Sequence, residues 1–258
     1  MRYIDTHAHY NDDAYKDNLD KVLDECKKVG VEYIVNIGYD KLSSEKSLEL
    51  SEKYDYIYCA IGVHPHDVDK DKAIDIYDIY QANTDKKIVA IGEIGLDYAF
   101  VSDNKLAQAD LFIDQIELAN SLKLPIVIHS RDASLDTYNI IKENRPEYGA
   151  LFHCFQPSDD LVRLVLNNDN YKVAFGGNIT YKRNESFGRY IKQIPIEKIV
   201  IETDAPYLSP VPYRGTINTS ANLPIICKKL SEYKEMDQDY VSEKVYKNAI
   251  NFFKIKEN

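Results

Sequence analysis

The chain has no tryptophan and only two methionines among 258 residues, and its four cysteines (Cys26, Cys59, Cys154 and Cys227) show no CxxC spacing. That scatter points to buried free thiols in a reducing compartment. No apolar run approaches the roughly 18 residues a membrane span requires, which excludes a helical membrane anchor. The first residues carry neither an n-region nor an h-region, so the expectation is a cytoplasmic protein from which nothing is cleaved. No Gly/Ser run, low-complexity stretch or block of like charge marks a linker, so residues 1–258 read as one domain. Cations are short as well. The 32 Lys and Arg against 42 Asp and Glu leave a net charge of −10, which argues against tight nonspecific duplex binding. A nucleic-acid substrate is still compatible, because bound divalent cations would bring positive charge where it is needed.

What is present is a repeating pattern. Short β-branched runs alternate with helical stretches of about ten to eighteen residues. The strand candidates are "YIDTH", "EYIVNIG", "IYCAIGVH", "KIVAIGEIG", "PIVIHS", "GALFHCF", "YKVAFGGN" and "KIVIETDAP". Between them lie amphipathic segments such as "LDKVLDECKKVG", ending in Gly30, and "KLAQADLFIDQIELANSLKL", running up to Pro125. Eight strands alternating with helices predict an α/β fold of the (β/α)₈ TIM-barrel type. An open doubly wound sheet would give a similar string, but the strands are evenly spaced and no glycine-rich phosphate loop follows the first. The tail "YVSEKVYKNAINFFKI" reads as one extra C-terminal helix.

All six histidines fall at predicted strand ends. His7 and His9 end the first strand, His64 and His66 the third, His129 the fifth and His153 the sixth. Glu93 ends the fourth and Asp204 the eighth. Strand alternation places Asp5, His7 and His9 on one face. It places Cys154 on the face opposite His153, packed against a helix. In a barrel every strand C-terminus converges on one rim, where active sites of this architecture lie. His7 and Asp204, 197 positions apart in sequence, would meet in one cavity.

A single histidine at a strand end is commonly a hydrogen-bonded structural residue, and Asp204 before Ala-Pro could be a turn residue. Glu93 inside an apolar strand is harder to explain that way, because a buried carboxylate must be paired or bound to metal. Four histidines and two carboxylates suit two divalent ions: imidazole favours zinc, and carboxylates also admit manganese or magnesium. Glu93 is the natural bridge between them. Paired metals suit hydrolysis of phosphate esters or amides. Arg131 in "HSRD" carries a fork that fits a phosphate or carboxylate. No Ser, Cys or Thr has a free histidine to activate it, so direct attack by water is expected rather than a covalent intermediate.

At these residues the sequence resembles the TatD family of metal-dependent deoxyribonucleases. The resemblance rests on "DTHAHY", "GVHPH", "GEIGLDY", "LPIVIHSRDA", "HCF", "ETDAPYLSPVPYRG" and "NAINFF". It implies a TIM-barrel hydrolase cleaving DNA phosphodiesters, often as a 3′–5′ exonuclease acting on single strands or frayed ends. It further implies one metal held by His7, His9, Glu93 and Asp204, and a second by Glu93, His129 and His153. His64 and Arg131 would lie against the scissile phosphate, with Asp204 orienting the attacking water. Tyr98 and Arg214 would be further substrate contacts. Apart from the resemblance, Tyr98, Phe155, Tyr181, Tyr207 and Tyr213 are possible base-stacking platforms. Neither a membrane nor an obligate protein partner is indicated. The fourth strand has glutamate at the rim and its lysines at the other end, unlike phosphotriesterase-like enzymes that bridge their metals with a carboxylated lysine. Two segments depart from the family pattern. "RGTINTSAN" keeps Arg214, Gly215 and Asn218 but has Thr216, Ile217 and Thr219 where lysine, arginine and glutamate are usual. "AFVSDNKLAQ" lacks the basic residue expected soon after Tyr98. An alternative is a dinuclear hydrolase for an ester, lactone or amide outside nucleic acids.

Overall fold

The computed structural model describes residues 1–84, 87–99 and 103–257. Within them lie eight strands: β1 (Tyr3–Ala8), β2 (Val31–Ile37), β3 (Ile57–Ile61), β4 (Ile88–Asp97), β5 (Ile126–Arg131), β6 (Ala150–Phe152), β7 (Tyr171–Phe175) and β8 (Ile199–Ile201). The described helices are α1 (Leu19–Lys28), α2 (Lys41–Lys53), α3 (Ala73–Ala82), α4 (Lys105–Leu122), α5 (Ser134–Glu143), α6 (Asp159–Leu166), α7 (Phe187–Gln193), α8 (Leu223–Lys234) and α9 (Gln238–Phe253). The strands pair in sequence order, each neighbour parallel. A bridge between Ala8 and Ala205 completes the circuit from β8 to β1. There the Asp204 N–H donates to the His7 carbonyl at 2.9 Å and the His9 N–H to that of Ala205 at 2.7 Å. The expected (β/α)₈ barrel is the observed one.

Local sequence explains the elements. Helix α1 turns Val22, Leu23 and Cys26 inward and its charged residues outward. It gives way at Gly30, whose φ of +94° suits a residue without a Cβ. Helix α4 stops at Lys123 in the left-handed conformation, two residues before Pro125, which opens the approach to β5.

Buried apolar side chains form two layers. The larger fills the space between strands and helices, with Tyr3, Ile34, Ile91, Phe112 and Phe175 among its members. The smaller joins alternate strand residues (Ile4, Val35, Ala60, Val127, Leu151 and Val200) to Phe252 and Phe253 of α9. The extra C-terminal helix thus plugs the barrel's N-terminal mouth, and each phenylalanine contributes about 1.5–3 kcal/mol by burial. Asn248 of α9 donates to the carbonyls of Ile196 and Ile199, both at 2.7 Å, tying the plug to the entry of β8. With that end of the barrel interior filled by apolar packing, the histidines gather at the opposite rim.

Candidate metal centre

Strand β4 reaches further than its sequence run predicts. Gly95, Leu96 and Asp97 stay paired with His129, Ser130 and Arg131 of β5, so Glu93 is interior to the strand rather than its last residue. Gly95 permits this: a Cβ there would stand 2.0 Å from the His129 carbonyl oxygen. The Glu93 carboxylate sits at the centre of the rim. Its Oε2 lies 3.4 Å from His7 Nε2 and 3.8 Å from His9 Nε2. Its Oε1 lies 2.8 Å from both His129 Nδ1 and His153 Nε2, and 3.8 Å from His64 Nε2. Asp204 Oδ1 adds to the first group, 3.7 Å from His7 Nε2 and 3.5 Å from His9 Nε2. The two oxygens of one carboxylate therefore face two separate sets of imidazoles.

Hydrogen bonds on the far side of the rings decide which nitrogens are available. His9 Nδ1 lies 2.9 Å from the Ile37 carbonyl, which can only accept, so Nε2 presents its lone pair to the site. His129 Nε2 lies 3.0 Å from Asp97 Oδ2, which leaves Nδ1 as the inward atom. His64 is arranged the other way. Its Nδ1 accepts from the His66 N–H at 3.2 Å, so the neutral ring carries its hydrogen on Nε2 and is a donor to the site.

Burial opposes the Glu93 charge, but the His153 and His7 imidazoles outweigh it and hold the carboxyl well below the ordinary range. Burial likewise lowers the imidazolium of His153, yet Glu93 and Glu202 carry it well above its usual value. His129 is raised in the same way by Asp97 and Glu93. Burial and then the neighbouring His129 push His64 well below. The atoms around Glu93 thus demand positive charge, which protons or metal ions supply. The donor set fits divalent cations: inward lone pairs, ionised carboxylates, and Glu202 Oε2 and His7 Nδ1 buried with no hydrogen-bond partner.

The six proposed ligands and His64 come together as the sequence predicts, although several addresses shift. His64 and His66 lie beyond β3, on a 3₁₀ turn at Pro65–Asp67, and His66 Nε2 approaches Asp97 Oδ2 at 3.2 Å. Asp5 does not join His7 and His9. The β1–β2 register shifts between Asp5 and Ala8, breaking strict alternation. The Asp5 carboxylate instead accepts from Thr203 Oγ1 (2.5 Å), Ser220 Oγ (2.6 Å) and the Thr203 N–H (3.0 Å). Cys154 is also not on the opposite face. Strand β6 has ended at Phe152 and Cys154 turns at φ +42°, which brings it into the same cavity as His153.

That cavity, about 540 Å³, opens beside His129, His153 and Asp204 and is also lined by Arg131, Arg183, Phe187 and Tyr207. Phe155 and Tyr181, at 2 % and 5 % exposure, are too buried to stack on bases, whereas Tyr207 and Tyr213 are half exposed. The Tyr98 hydroxyl donates to Asp136 at 2.9 Å, and Lys105 covers its ring at 4.1 Å. Arg214 stands exposed on the loop between β8 and α8. Asn218 is structural: its amide donates to the Thr203 and Tyr207 carbonyls at 2.8 and 2.7 Å, shaping the loop that carries Asp204. Part of the segment lacking a basic residue, residues 100–102, lies outside the described residues. Sequence reasoning missed Asp97, which orients His129 by a hydrogen bond, and Glu202, whose Oε1 approaches His153 Nδ1 at 3.6 Å. Each stands an even number of residues from a proposed ligand (Glu93 or Asp204), a spacing that alternation could have flagged.

A family model described as TatD related DNase matches residues 4–254. The chain belongs to that family. It is 37% identical over 253 residues to the uncharacterized metal-dependent hydrolase YabD of Bacillus subtilis, covering 98% of this chain and 99% of the relative. It is 31% identical to the uncharacterized metal-dependent hydrolase MJ1582 of Methanocaldococcus jannaschii, with 98% of both chains covered. Among solved structures, the TatD homologue YJJV of Escherichia coli K12 superposes with a TM-score of 0.89 at 27% identity, covering 99% of each chain. This TatD-family protein is thus a metal-dependent hydrolase by family, with a rim that gathers the donors such an enzyme needs. Among the described residues no helix is long and apolar enough to cross a membrane.

Proposed function

We propose that the protein is a DNA phosphodiesterase that uses two divalent ions, magnesium, manganese or zinc, and trims single-stranded or frayed 3′ ends in the cytosol. The observation that carries this reading is the division of the imidazoles between the two oxygens of Glu93. One cation would be held by His7, His9, Glu93 and Asp204, the other by Glu93, His129 and His153. Two divalent ions held by these residues would lower the pKa of a water and neutralise charge on a phosphoryl group under attack.

The side chains do the rest. Burial opposes charge on Asp204, but the hydrogen bond from His9 and the nearby His153 and His7 hold its carboxyl below the ordinary range. It is therefore an anion able to accept the proton of the attacking water. Neutral His64 presents its Nε2–H to a phosphate oxygen, and the Arg131 fork pairs with the same group. Free thiols at all four cysteines support the cytosolic assignment.

The test uses metal-stripped protein and end-labelled single-stranded and duplex DNA, with magnesium, manganese and zinc returned singly. Metal-dependent shortening from the 3′ end, absent in Glu93→Ala, is the expected result. Metal binding with every DNA left intact would overturn the nuclease reading and move the search to ester, lactone and amide substrates.

A further inference from the structure

The cavity continues past the metal ligands to Arg183, which shares a tyrosine with a second arginine, Arg214. Arg183 lies on the 3₁₀ turn Lys182–Asn184 that follows β7, and Arg214 lies on the β8–α8 loop. Both are turned to the same side chain. The guanidinium carbons of Arg183 and Arg214 stand 5.7 and 4.7 Å from the centre of the Tyr181 ring. Tyr181 is itself fixed, 5 % exposed, with its hydroxyl donating to the Ser209 carbonyl at 2.8 Å.

Among the described residues neither guanidinium has a carboxylate within 4 Å, whereas Arg2 is paired with Glu32, Glu243 and Glu257. In a chain of net charge −10, two uncompensated arginines around one tyrosine need an explanation other than local charge balance. Packing of a guanidinium face on an aromatic ring leaves the N–H edges free for a planar, two-pronged acceptor. Arg183 also lines the cavity shared with His129, His153 and Asp204. Arg183 therefore stands on the path of a chain whose scissile group would lie at the metals, and Arg214 flanks that path through the shared Tyr181 ring.

We propose that Arg183 and Arg214, mounted on Tyr181, form a second phosphate clamp that holds a single strand at a phosphodiester other than the one being cut. The clamp rests on the nuclease reading and makes it more specific: the preferred substrate carries at least two phosphodiesters. It also supplies cations to a strand-binding path on an otherwise acidic protein.

The test compares kcat/KM of the metal-loaded enzyme on a dodecathymidylate and on the p-nitrophenyl ester of thymidine 5′-phosphate, which has one phosphodiester. In Arg183→Ala and in Arg214→Ala, the ratio of the first to the second is expected to fall about tenfold at low salt. The slope of log kcat/KM for the dodecamer against log salt should flatten by roughly 0.7 for each single-strand phosphate that a variant no longer neutralises. The double variant should flatten it by about 1.4, and Arg183→Lys should recover the slope because it restores the charge. If wild type cuts the dodecamer but ratio and slope stay within error of wild type in both single variants, the clamp is refuted. If wild type turns over the ester and not the dodecamer, the nuclease reading has failed instead.

Discussion

Asp97 touches no proposed metal position, yet it should control one of them. Its Oδ2 lies 3.0 Å from His129 Nε2, and this contact leaves Nδ1 facing Glu93 and His153. Asp97→Asn keeps the shape but removes the charge, and its amide can present either a donor or an acceptor to the ring. The fraction of His129 with Nδ1 free to ligate then falls, and losses at carboxylate–histidine pairs of this kind are typically 10–100-fold in metal affinity. That corresponds to about 1.4–2.7 kcal/mol. The other proposed cation position, faced by a His9 ring that the Ile37 carbonyl orients, does not depend on Asp97. Titration of metal-stripped protein with zinc against a chromophoric chelator should show one step weakened by one to two orders of magnitude and the other changed less than threefold. Equal weakening of both steps, or of neither, would refute the separation of the two sets across Glu93.

Three further outcomes follow from the same geometry. Glu93→Gln should abolish both binding steps, and the rise in Tm on adding metal, roughly 5–10 °C at a hundredfold excess over Kd for wild type, should vanish; a wild type with no metal-dependent Tm would contradict the site. Asp97 is held down at about 2: burial raises its carboxyl, but the hydrogen bond from His129 outweighs that. Its charge therefore stabilises the fold above pH 4, and this is lost as pH falls toward 2. Metal-free wild type should lose about 1 kcal/mol more than Asp97→Asn between pH 5 and 3 in urea titrations, and parallel curves would remove the effect. Burial pushes the Cys59 and Cys227 thiols up to about 12, and raises those of Cys26 and Cys154 as well, although Cys154 alone of the four lines the cavity. Native protein at pH 8 should therefore react slowly and with at most one equivalent of a thiol reagent, at the partly accessible Cys154, and urea should expose all four.

The barrel and the convergence of ligands were legible because each strand is a separate apolar run and strand ends carry little besides chemistry. The positions that misled are those where backbone geometry departs from a regular strand. The bulge between Asp5 and Ala8 separates Asp5 from its neighbours. The left-handed turn at Cys154 reverses its face. Gly95 extends β4 to Asp97 through a close approach to β5 that only the three-dimensional pairing reveals. Arg183 was invisible for a different reason: its significance lies in a ring shared with Arg214, 31 positions away, and sequence spacing across two loops says nothing about that distance.

The hydrogen bond from Asp204 to the carbonyl of His7 lies where the barrel's two ends are joined. One proposed ligand set is thus divided between His7 and Asp204, and no product of synthesis shorter than 204 residues can contain it. A copy that ends before Asp204 would be inert rather than weakly active. The capacity to cut would appear only when the circle is complete.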